Sequence, residues 1–456
     1  MKTRKRWVTV MKVVLAVVVV LGIVHGIALF VTGRRVEAEL ARIKASGGAI
    51  SMHELAGNVP DEDNAALVYQ KAFEDTEADK KIRSKVDALR YDLLDRDKTP
   101  TPDTWAAARA WTARHQGAIA LAAEAVSKPK CRFKTDWDAG ISANMSYFAK
   151  LRELTRLVVT NAVVSAKDGR MDDAVSSLET GFGMGDSLRE EPTLIGLLVR
   201  VSMLDAVSVG LRRVAEYGDL TDSQAIQLAG RISEDDFDRG YKLAMNGERT
   251  FGIWVCDAIR THRIGANELL GANGILGDND SSLRAGRALF CATYLGRPFL
   301  YADELVYLRL MERQIGRTNL PYREAVKPDP EFESYLRTNP LVACLAAALP
   351  RVTMNVDKAR VAVRGDRIML ALIAHRSRFG AYPASIADLK PQGLKINLED
   401  PFSDKDLVYK TQGKGFVLYS VGPNFKDDKG LDSSDKPVPP TGEDKRPDDI
   451  VWRMSK

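Results

Sequence analysis

The stretch Val13 to Thr32 reads VVLAVVVVLGIVHGIALFVT and contains no formally charged residue. About twenty apolar residues are the length that an α-helix needs to cross the ~30 Å hydrocarbon core of a bilayer. The run is longer than the roughly 7–15 apolar residues of a secretory signal, and no clear small-residue cleavage site follows it before Arg34 and Arg35. We therefore predict an uncleaved transmembrane helix over residues 13–32.

The short segment before this helix predicts its orientation. Residues 1–12 are rich in lysine and arginine, a bias that keeps a short tail in the cytoplasm, although Arg34 and Arg35 flank the other end of the span. We therefore predict a cytoplasmic tail at residues 1–12 and place the bulk of the chain outside the cytoplasmic membrane, in the periplasm of a bacterial cell. The membrane is the one partner that the sequence itself indicates.

Composition limits the function of the remaining chain. With 456 residues, 45% hydrophobic and 28% charged, the sequence is typical of a globular protein of two or three domains. The net charge of +5 is small, and no stretch combines a basic face with aromatic residues, which argues against a nucleic-acid partner. The four cysteines, at positions 131, 256, 291 and 344, form no C-x-x-C motif, so both free thiols and disulfides remain open.

Helical periodicity dominates residues 34–340, which we predict to be a helical body. Ala65, Val68, Tyr69, Ala72 and Phe73 follow the spacing of one buried helix face. Further helices are predicted over 104–126 and 145–166. The glycine-containing turn from Ala166 to Arg170 predicts a helical hairpin. The glycine-rich stretch 265–282 is the candidate break within the body.

Motifs that would identify an enzyme are missing. The chain contains no H-E-x-x-H and no G-x-S-x-G, and its five histidines, at positions 25, 53, 115, 262 and 375, show no metal-ligand spacing. The glycines of residues 265–282 match neither a phosphate loop nor a dinucleotide fingerprint. The sequence therefore predicts no catalytic residue and leaves a small-molecule ligand unknown.

The pattern changes in residues 351–456, where we predict an α+β module. An apolar stripe predicts a long helix that ends at Phe379 and Gly380, before Tyr382 and Pro383. Three short strands are predicted at 407–409, 415–421 and 450–452, and the first two form a hairpin around Gly413. The expected fold class is therefore mainly α, with a long helix packed on a small antiparallel sheet at the C-terminal end.

Several short sequence motifs of this module resemble those of the globular domain of the major pseudopilin of type II secretion. They are Tyr382-Pro383, Asp400-Pro401-Phe402, Leu418-Tyr419-Ser420 with Gly422, and Asp449-Ile450 with Trp452. The segment DEDNAALVYQKAF at 61–73 resembles the start of many uncharacterised membrane-anchored bacterial proteins, which carry no assigned activity. The pseudopilin resemblance covers about residues 351–456 only.

The pseudopilin family binds calcium in the loops that flank its last strand. The resemblance implies that the corresponding Ca²⁺ ligands here are the oxygen-bearing side chains Asn424, Asp427, Asp428, Asp448 and Asp449. The chain departs from the family pattern in two ways: Lys436 to Pro447 form an insertion between the two acidic groups, and the span lacks the family's glutamate. We therefore do not expect this chain to assemble into a pseudopilus by the usual route.

Two hypotheses of function follow from the sequence. The first is a non-enzymatic, membrane-anchored interaction or scaffold protein with envelope or secretion-system partners. The second is an anchored hydrolase whose site lies between the helical body and the C-terminal module, and which would gather His115 or His262 with carboxylates.

Overall fold

The computed structural model of the protein is mainly helical with a small antiparallel C-terminal part, which confirms the predicted fold class. It describes residues 2–77, 92–95, 98–234, 236–264, 282–346, 348–389, 396–403, 405–432, 435 and 447–455. The predicted break at 265–282 lies outside these residues except for Ser282, as does the insertion at 436–447 except for Pro447.

The helices and strands are numbered here along the chain. The helices are α1 (Lys2–Ala45), α2 (Met52–Ala56), α3 (Ala65–Glu77), α4 (Pro102–Arg114), α5 (Gln116–Ala125), α6 (Tyr147–Lys167), α7 (Met171–Asp186), α8 (Leu194–Tyr217), α9 (Asp222–Arg231), α10 (Phe237–Arg260), α11 (Ser282–Cys291), α12 (Arg297–Arg317), α13 (Tyr322–Ala325), α14 (Pro330–Thr338), α15 (Pro340–Ala346) and α16 (Leu349–Phe379). The strands are β1 (Glu399–Asp400), β2 (Lys405–Asp406), β3 (Val408–Gln412), β4 (Gly415–Ser420) and β5 (Ile450–Met454).

Helix α1 is one continuous helix that includes both the predicted tail and the predicted span. Its apolar part is long enough to cross a membrane, and none of that part is buried inside the protein. Beyond Thr32 the same helix continues to Ala45 and packs against α12, where Val36, Ile43 and Leu308 form a small buried cluster. Helix α8 is also long and apolar, but more than half of it is buried, as in a core helix.

The helical hairpin predicted around Ala166 to Arg170 is confirmed by α6 and α7. Gly169 occupies the turn with a φ of 79°, a left-handed conformation that glycine adopts without strain. The single helix predicted over 104–126 is wrong, because α4 ends and α5 begins at His115, whose φ of −108° and ψ of 27° are not helical. The imidazole of His115 is buried there, with Nδ1 3.4 Å from Oδ2 of Asp75.

The C-terminal part has the predicted long helix followed by strands. Helix α16 ends at Gly380, whose φ of 79° provides the left-handed C-cap that the sequence suggests. Strands β3, β4 and β5 form an antiparallel sheet in that order, and Gly413 lies in the β3–β4 turn. The two-residue ladder between β1 and β2 was not predicted, because strands this short leave no periodicity in the sequence.

Helix α16 joins the C-terminal sheet to the helical body. A single cluster of buried apolar residues extends from α8 and α9 through α16 to β4 and β5. Within it, the ring of Trp452 packs so closely on α16 that a Cβ atom at Gly365 would overlap it. The position of the domain boundaries stays a prediction, while the core itself continues across residues 340–351.

Candidate functional site

The five residues predicted to bind calcium lie together at one corner of the sheet, beyond the end of β4. Asp449 accepts hydrogen bonds from the backbone N–H groups of Asp428, at 3.2 Å, and Gly430, at 2.7 Å. Oδ2 of Asp428 accepts from the backbone N–H of Asp448 and from Nδ2 of Asn424, both at 3.0 Å. Asp427 lies in the same turn, where its Oδ1 accepts from the backbone N–H of Lys429 at 2.8 Å.

These hydrogen bonds give the acidic corner a structural role. Asp449 is buried, and burial raises its pKa to about 6 even though backbone N–H donors oppose the shift. Oδ1 of Asp448 pairs with Nζ of Lys358 at 3.2 Å. Among the described residues no group of three or more His, Cys, Asp or Glu side chains is arranged to hold a metal ion. Calcium binding would share carboxylate oxygens of Asp428 and Asp449 that already accept backbone N–H donors, and it stays a prediction.

A pocket of about 520 Å³ lies elsewhere, in the helical body. Its walls come from α2, the segment 137–145, the start of α8 and the middle of α10. Most of the lining is apolar, and this part consists of Ile50, Met52, Trp137, Ile141, Ala143, Met145, Leu194, Ile195, Phe251, Ile253 and Trp254. A concave, mainly apolar pocket of several hundred cubic ångströms with a few polar groups is typical of a small-molecule site.

Glu248 is the polar group that distinguishes this pocket. It lies on α10 among the lining residues, and its carboxylate has no hydrogen-bond or ion-pair partner within the part of the chain that the structure describes. Desolvation by the surrounding protein is the cause that raises its pKa to about 7. The carboxyl group can therefore donate a hydrogen bond when protonated and attract a cation when ionised, both near neutral pH.

Close helix packing brings Glu248 to this position. A Cβ atom at Gly247 would overlap the backbone carbonyl of Pro192, so the glycine lets α10 approach the turn before α8. On the other side of α10, the hydroxyl of Tyr307 donates to the backbone carbonyl of Glu248 at 2.7 Å. These two contacts hold the glutamate between the start of α8 and α12.

A second polar group lies at the rim of the pocket. Nε2 of His53 is 3.2 Å from Oδ1 of Asp138, and the indole N–H of Trp254 donates to the backbone carbonyl of Asp138 at 3.2 Å. Both side chains of the His53–Asp138 pair are mostly exposed to solvent. Arg263 pairs with Asp257 on the same side and lies over the Trp254 ring.

Sequence reasoning missed this site, since its residues come from four distant segments. One signal was available on α10. Tyr241, Ala244, Met245 and Val255 form the buried stripe of that helix, and Glu248 occupies a position on the same stripe where an apolar residue is expected. A glutamate in a buried stripe is unusual unless the group is paired or functional.

The histidines considered in the hydrolase hypothesis do not lie in this pocket. His115 is buried beside Asp75, and His262 follows the end of α10 with a φ of 56°. Neither is among the residues that line the pocket, whereas His53, which the sequence did not single out, lies at its rim. Cys131, Cys256 and Cys291 are free thiols.

Comparison of the chain with protein-family models, with curated proteins and with solved structures finds no match. The similarity to the pseudopilin domain stays a prediction from the sequence.

Proposed function

We propose that this chain is a single-pass, membrane-anchored binding protein that takes an amphipathic small molecule into the pocket around Glu248. The ligand would place an apolar body against Phe251, Trp254 and their neighbours, and a cationic or hydrogen-bond-donating end against the Glu248 carboxyl. The observation that carries this proposal is an unpaired glutamate in a mainly apolar pocket.

The unpaired carboxylate supports a functional role because it has a stability cost. Desolvating a charged group without a partner is unfavourable, and glutamine or an apolar residue would avoid the penalty at this position. Groups whose pKa is shifted by burial inside a cleft are concentrated at binding and catalytic sites. Glu248 has no charge partner among the described residues, and it lies in a cleft with a pKa that is raised by desolvation.

The position of the pocket relative to the membrane suggests where the ligand comes from. Tyr307, which contacts Glu248, is next to Leu308, and Leu308 packs with Val36 and Ile43 of α1. These residues follow Thr32 by 4 and 11 positions, so the pocket lies on the order of 10 Å beyond the apolar stretch, at the rise of an α-helix. An amphipathic molecule that partitions into the membrane surface would be close to the pocket.

The cellular context is part of the proposal. A lysine- and arginine-rich tail favours a cytoplasmic N-terminus, which would place the pocket in the periplasm of a bacterial cell. Envelope or secretion-system proteins are proposed as partners on the C-terminal resemblance. Crosslinking in native cells followed by co-purification tests this part, and recovery of no envelope protein would contradict it.

Site-resolved photolabelling tests the ligand proposal. The full-length protein in lipid nanodiscs is exposed to a diazirine-bearing long-chain alkyl amine or to the matched alkyl carboxylate, and the adducts are mapped by peptide mass spectrometry. We expect adducts on the pocket residues of α10 with the amine at pH 8, and several-fold fewer with the carboxylate, because an ionised Glu248 repels a second negative charge.

Two variants control this experiment. Ala143→Trp fills the pocket from its half-exposed wall and should abolish the adducts on α10, while Leu320→Trp adds the same side chain at an exposed position outside the lining. Equal labelling of wild type and Ala143→Trp would show that the alkyl chains label α10 from the bilayer and would overturn the proposal.

The second candidate function is hydrolysis, favoured by the His53–Asp138 pair at the rim. A histidine held by a carboxylate can act as a general base near a bound substrate. Release of p-nitrophenol from p-nitrophenyl butyrate by the full-length protein, lost in His53→Ala and retained in His262→Ala, would support it. Equal turnover in both variants would exclude this pair from the reaction.

A further inference from the structure

The corner between α11 and α12 exposes a compact group of large apolar side chains. Five such residues occur within eleven positions, and these are Leu289, Phe290, Tyr294, Leu295 and Phe299. The rings of Phe290, on α11, and Phe299, on α12, lie 5.6 Å apart, so exposed apolar side chains of both helices meet. Isolated apolar residues on a protein surface are ordinary, but a cluster of them marks an interaction surface. We call these residues the apolar corner.

The apolar corner lies beside the membrane-spanning part of α1. The ring of Tyr294 is 5.2 Å from the ring of His25, which is inside the predicted span. Further along, Tyr301 contacts α1 at Gly33, and Arg42 forms an ion pair with Glu312. Sequence positions on α12 increase in the same direction as those on α1, so the two helices run parallel.

The depth of the apolar corner relative to the end of the apolar stretch follows from its contact with His25. His25 precedes Thr32 by seven residues, and at ~1.5 Å per residue it lies on the order of 10 Å below the end of the apolar stretch. Interfacial helices bury their apolar faces ~5–10 Å into the boundary between headgroups and acyl chains. If the apolar stretch spans the membrane as proposed, Tyr294, which contacts His25, would lie at the depth of that boundary, on the side of the membrane where the body is.

Exposure along α1 supports the same placement. His25 and Leu29 are partly covered, whereas Ile27 and Phe30 on the other faces of the helix are exposed. The apolar corner thus continues the lipid-facing surface of α1 outward from one side of the helix. Arg34 and Arg35 are exposed just above it, where lipid phosphate groups would be.

We propose that the apolar corner inserts into the leaflet next to the body and forms a second membrane contact beside the transmembrane helix. Its chemistry fits this position. Phenylalanine and leucine favour the acyl region, and tyrosine is enriched at membrane interfaces because its ring is apolar and its hydroxyl is polar. Arg297 lies over the Tyr294 ring at 5.5 Å and donates to the backbone carbonyl of Arg260 at 2.9 Å, which ties the corner to the end of α10.

The second contact would fix the orientation of the body. A single helix allows the body to tilt and rotate on the membrane, whereas two contacts define its height and rotation. Because the corner is tied to α10 through Arg297 and Arg260, the pocket on α10 would stay at one distance from the lipid surface. This consequence depends on lipid contact at the corner and is independent of any ligand.

Photo-crosslinking of the full-length protein in liposomes tests the inference. Benzoylphenylalanine replaces Leu295 or Phe299 in the corner and, as a matched control, Phe379 at the end of α16. Leu295 and Phe379 are 63% and 65% exposed, so accessibility does not distinguish them. We expect lipid adducts at positions 295 and 299 several-fold above those at position 379.

Two results would overturn the inference. Lipid adducts at positions 295 and 299 that do not exceed the control would place the corner in water. Crosslinks between two copies of the chain at these positions would show that a second copy covers the corner instead of lipid. Both corner positions are exposed, so neither substitution disturbs the core, and the use of two sites guards against an unreactive geometry at one of them.

Discussion

The buried carboxylates of the C-terminal part and the half-buried Glu248 in the pocket of the helical body differ in the hydrogen bonds that they accept. Asp366 accepts hydrogen bonds from Trp452, at 2.8 Å, and from the hydroxyl of Ser208. Asp400 accepts from the hydroxyl of Ser420 at 2.7 Å and from two backbone N–H groups at 3.0 Å. Glu248 has no such partner among the described residues.

This difference separates structural carboxylates from a functional candidate. Partnered carboxylates join elements distant in sequence, as Asp366 joins α8, α16 and β5, and their burial is offset by hydrogen bonds. An unpartnered carboxylate contributes no such link, so its presence calls for an explanation outside the fold. The comparison gives Asp366 and Asp400 a structural role and leaves Glu248 as the carboxylate on which the binding proposal rests.

The largest expected effect is a loss of stability on replacement of a hydrogen-bonded carboxylate, Asp366. Asp366→Ala leaves the Trp452 N–H and the Ser208 hydroxyl buried without an acceptor, which should lower the free energy of unfolding by about 4 kcal/mol at ~1–3 kcal/mol for each orphaned group. Asp366→Asn retains an acceptor and should cost clearly less. Chemical unfolding of the full-length protein in detergent measures both, and equal losses would show that packing, not hydrogen bonding, accounts for the role of Asp366.

Replacement of Glu248 in the pocket is expected to raise the free energy of unfolding, the opposite of the effect at Asp366. The pKa of Glu248 is raised to about 7, so the native state binds its proton more tightly than the unfolded state, and this group lowers stability as pH rises from about 4.5 to 7. Glu248→Gln removes the ionised form and should stabilise the protein by about 2 kcal/mol at pH 8, with the gain shrinking toward pH 4.5. Thermal unfolding across this pH range measures it.

Glu191 provides a matched control for Glu248. Burial also raises its pKa to about 7, but Arg132 lies 3.5 Å away and Thr193 donates to its carboxylate at 3.2 Å. Glu191→Gln removes the charge partner of the partly buried Arg132 and should give no gain at pH 8. A similar gain in both variants would contradict the distinction between partnered and unpartnered carboxylates.

Calcium titration tests whether the carboxylates of the acidic corner bind a ligand in addition to their structural role. If the acidic corner binds Ca²⁺ with a dissociation constant near 10⁻⁴ M, then 1 mM calcium should raise the free energy of unfolding by about 1.4 kcal/mol through ligand linkage. Calorimetry and thermal unfolding of the chelator-treated full-length protein measure this, with Asp427→Ala as the variant that should lose it. No saturable binding at millimolar calcium would leave these carboxylates with a structural role only.

The smallest effect is expected at the pocket rim. The His53–Asp138 pair is mostly exposed, and such pairs contribute only about 0–1 kcal/mol. His53→Ala should therefore leave the melting temperature nearly unchanged. A large loss of stability would instead show that His53 supports the pocket wall and would remove it from the hydrolase hypothesis.

Much of the fold could be predicted because it depends on local patterns. The apolar run at 13–32, the stripe on α3, the hairpin turn at Gly169 and the C-cap at Gly380 each follow from residues close in sequence. The split of residues 104–126 at His115 could not be predicted in this way, since the residues on both sides favour helix and the break accompanies burial of the imidazole beside α3.

The sequence by itself determined the long apolar N-terminal helix, the mainly helical class and the C-terminal helix with its sheet, because helix and strand periodicity, caps and turns act over a few residues. Only the tertiary structure decided which side chains meet. It placed Glu248 beside the start of α8, Tyr294 beside His25, and Asp366 between Ser208 and Trp452. These contacts join segments tens to hundreds of residues apart. The burial of a side chain, which shifts its pKa or covers its apolar surface, depends on how the whole chain packs and not on local sequence.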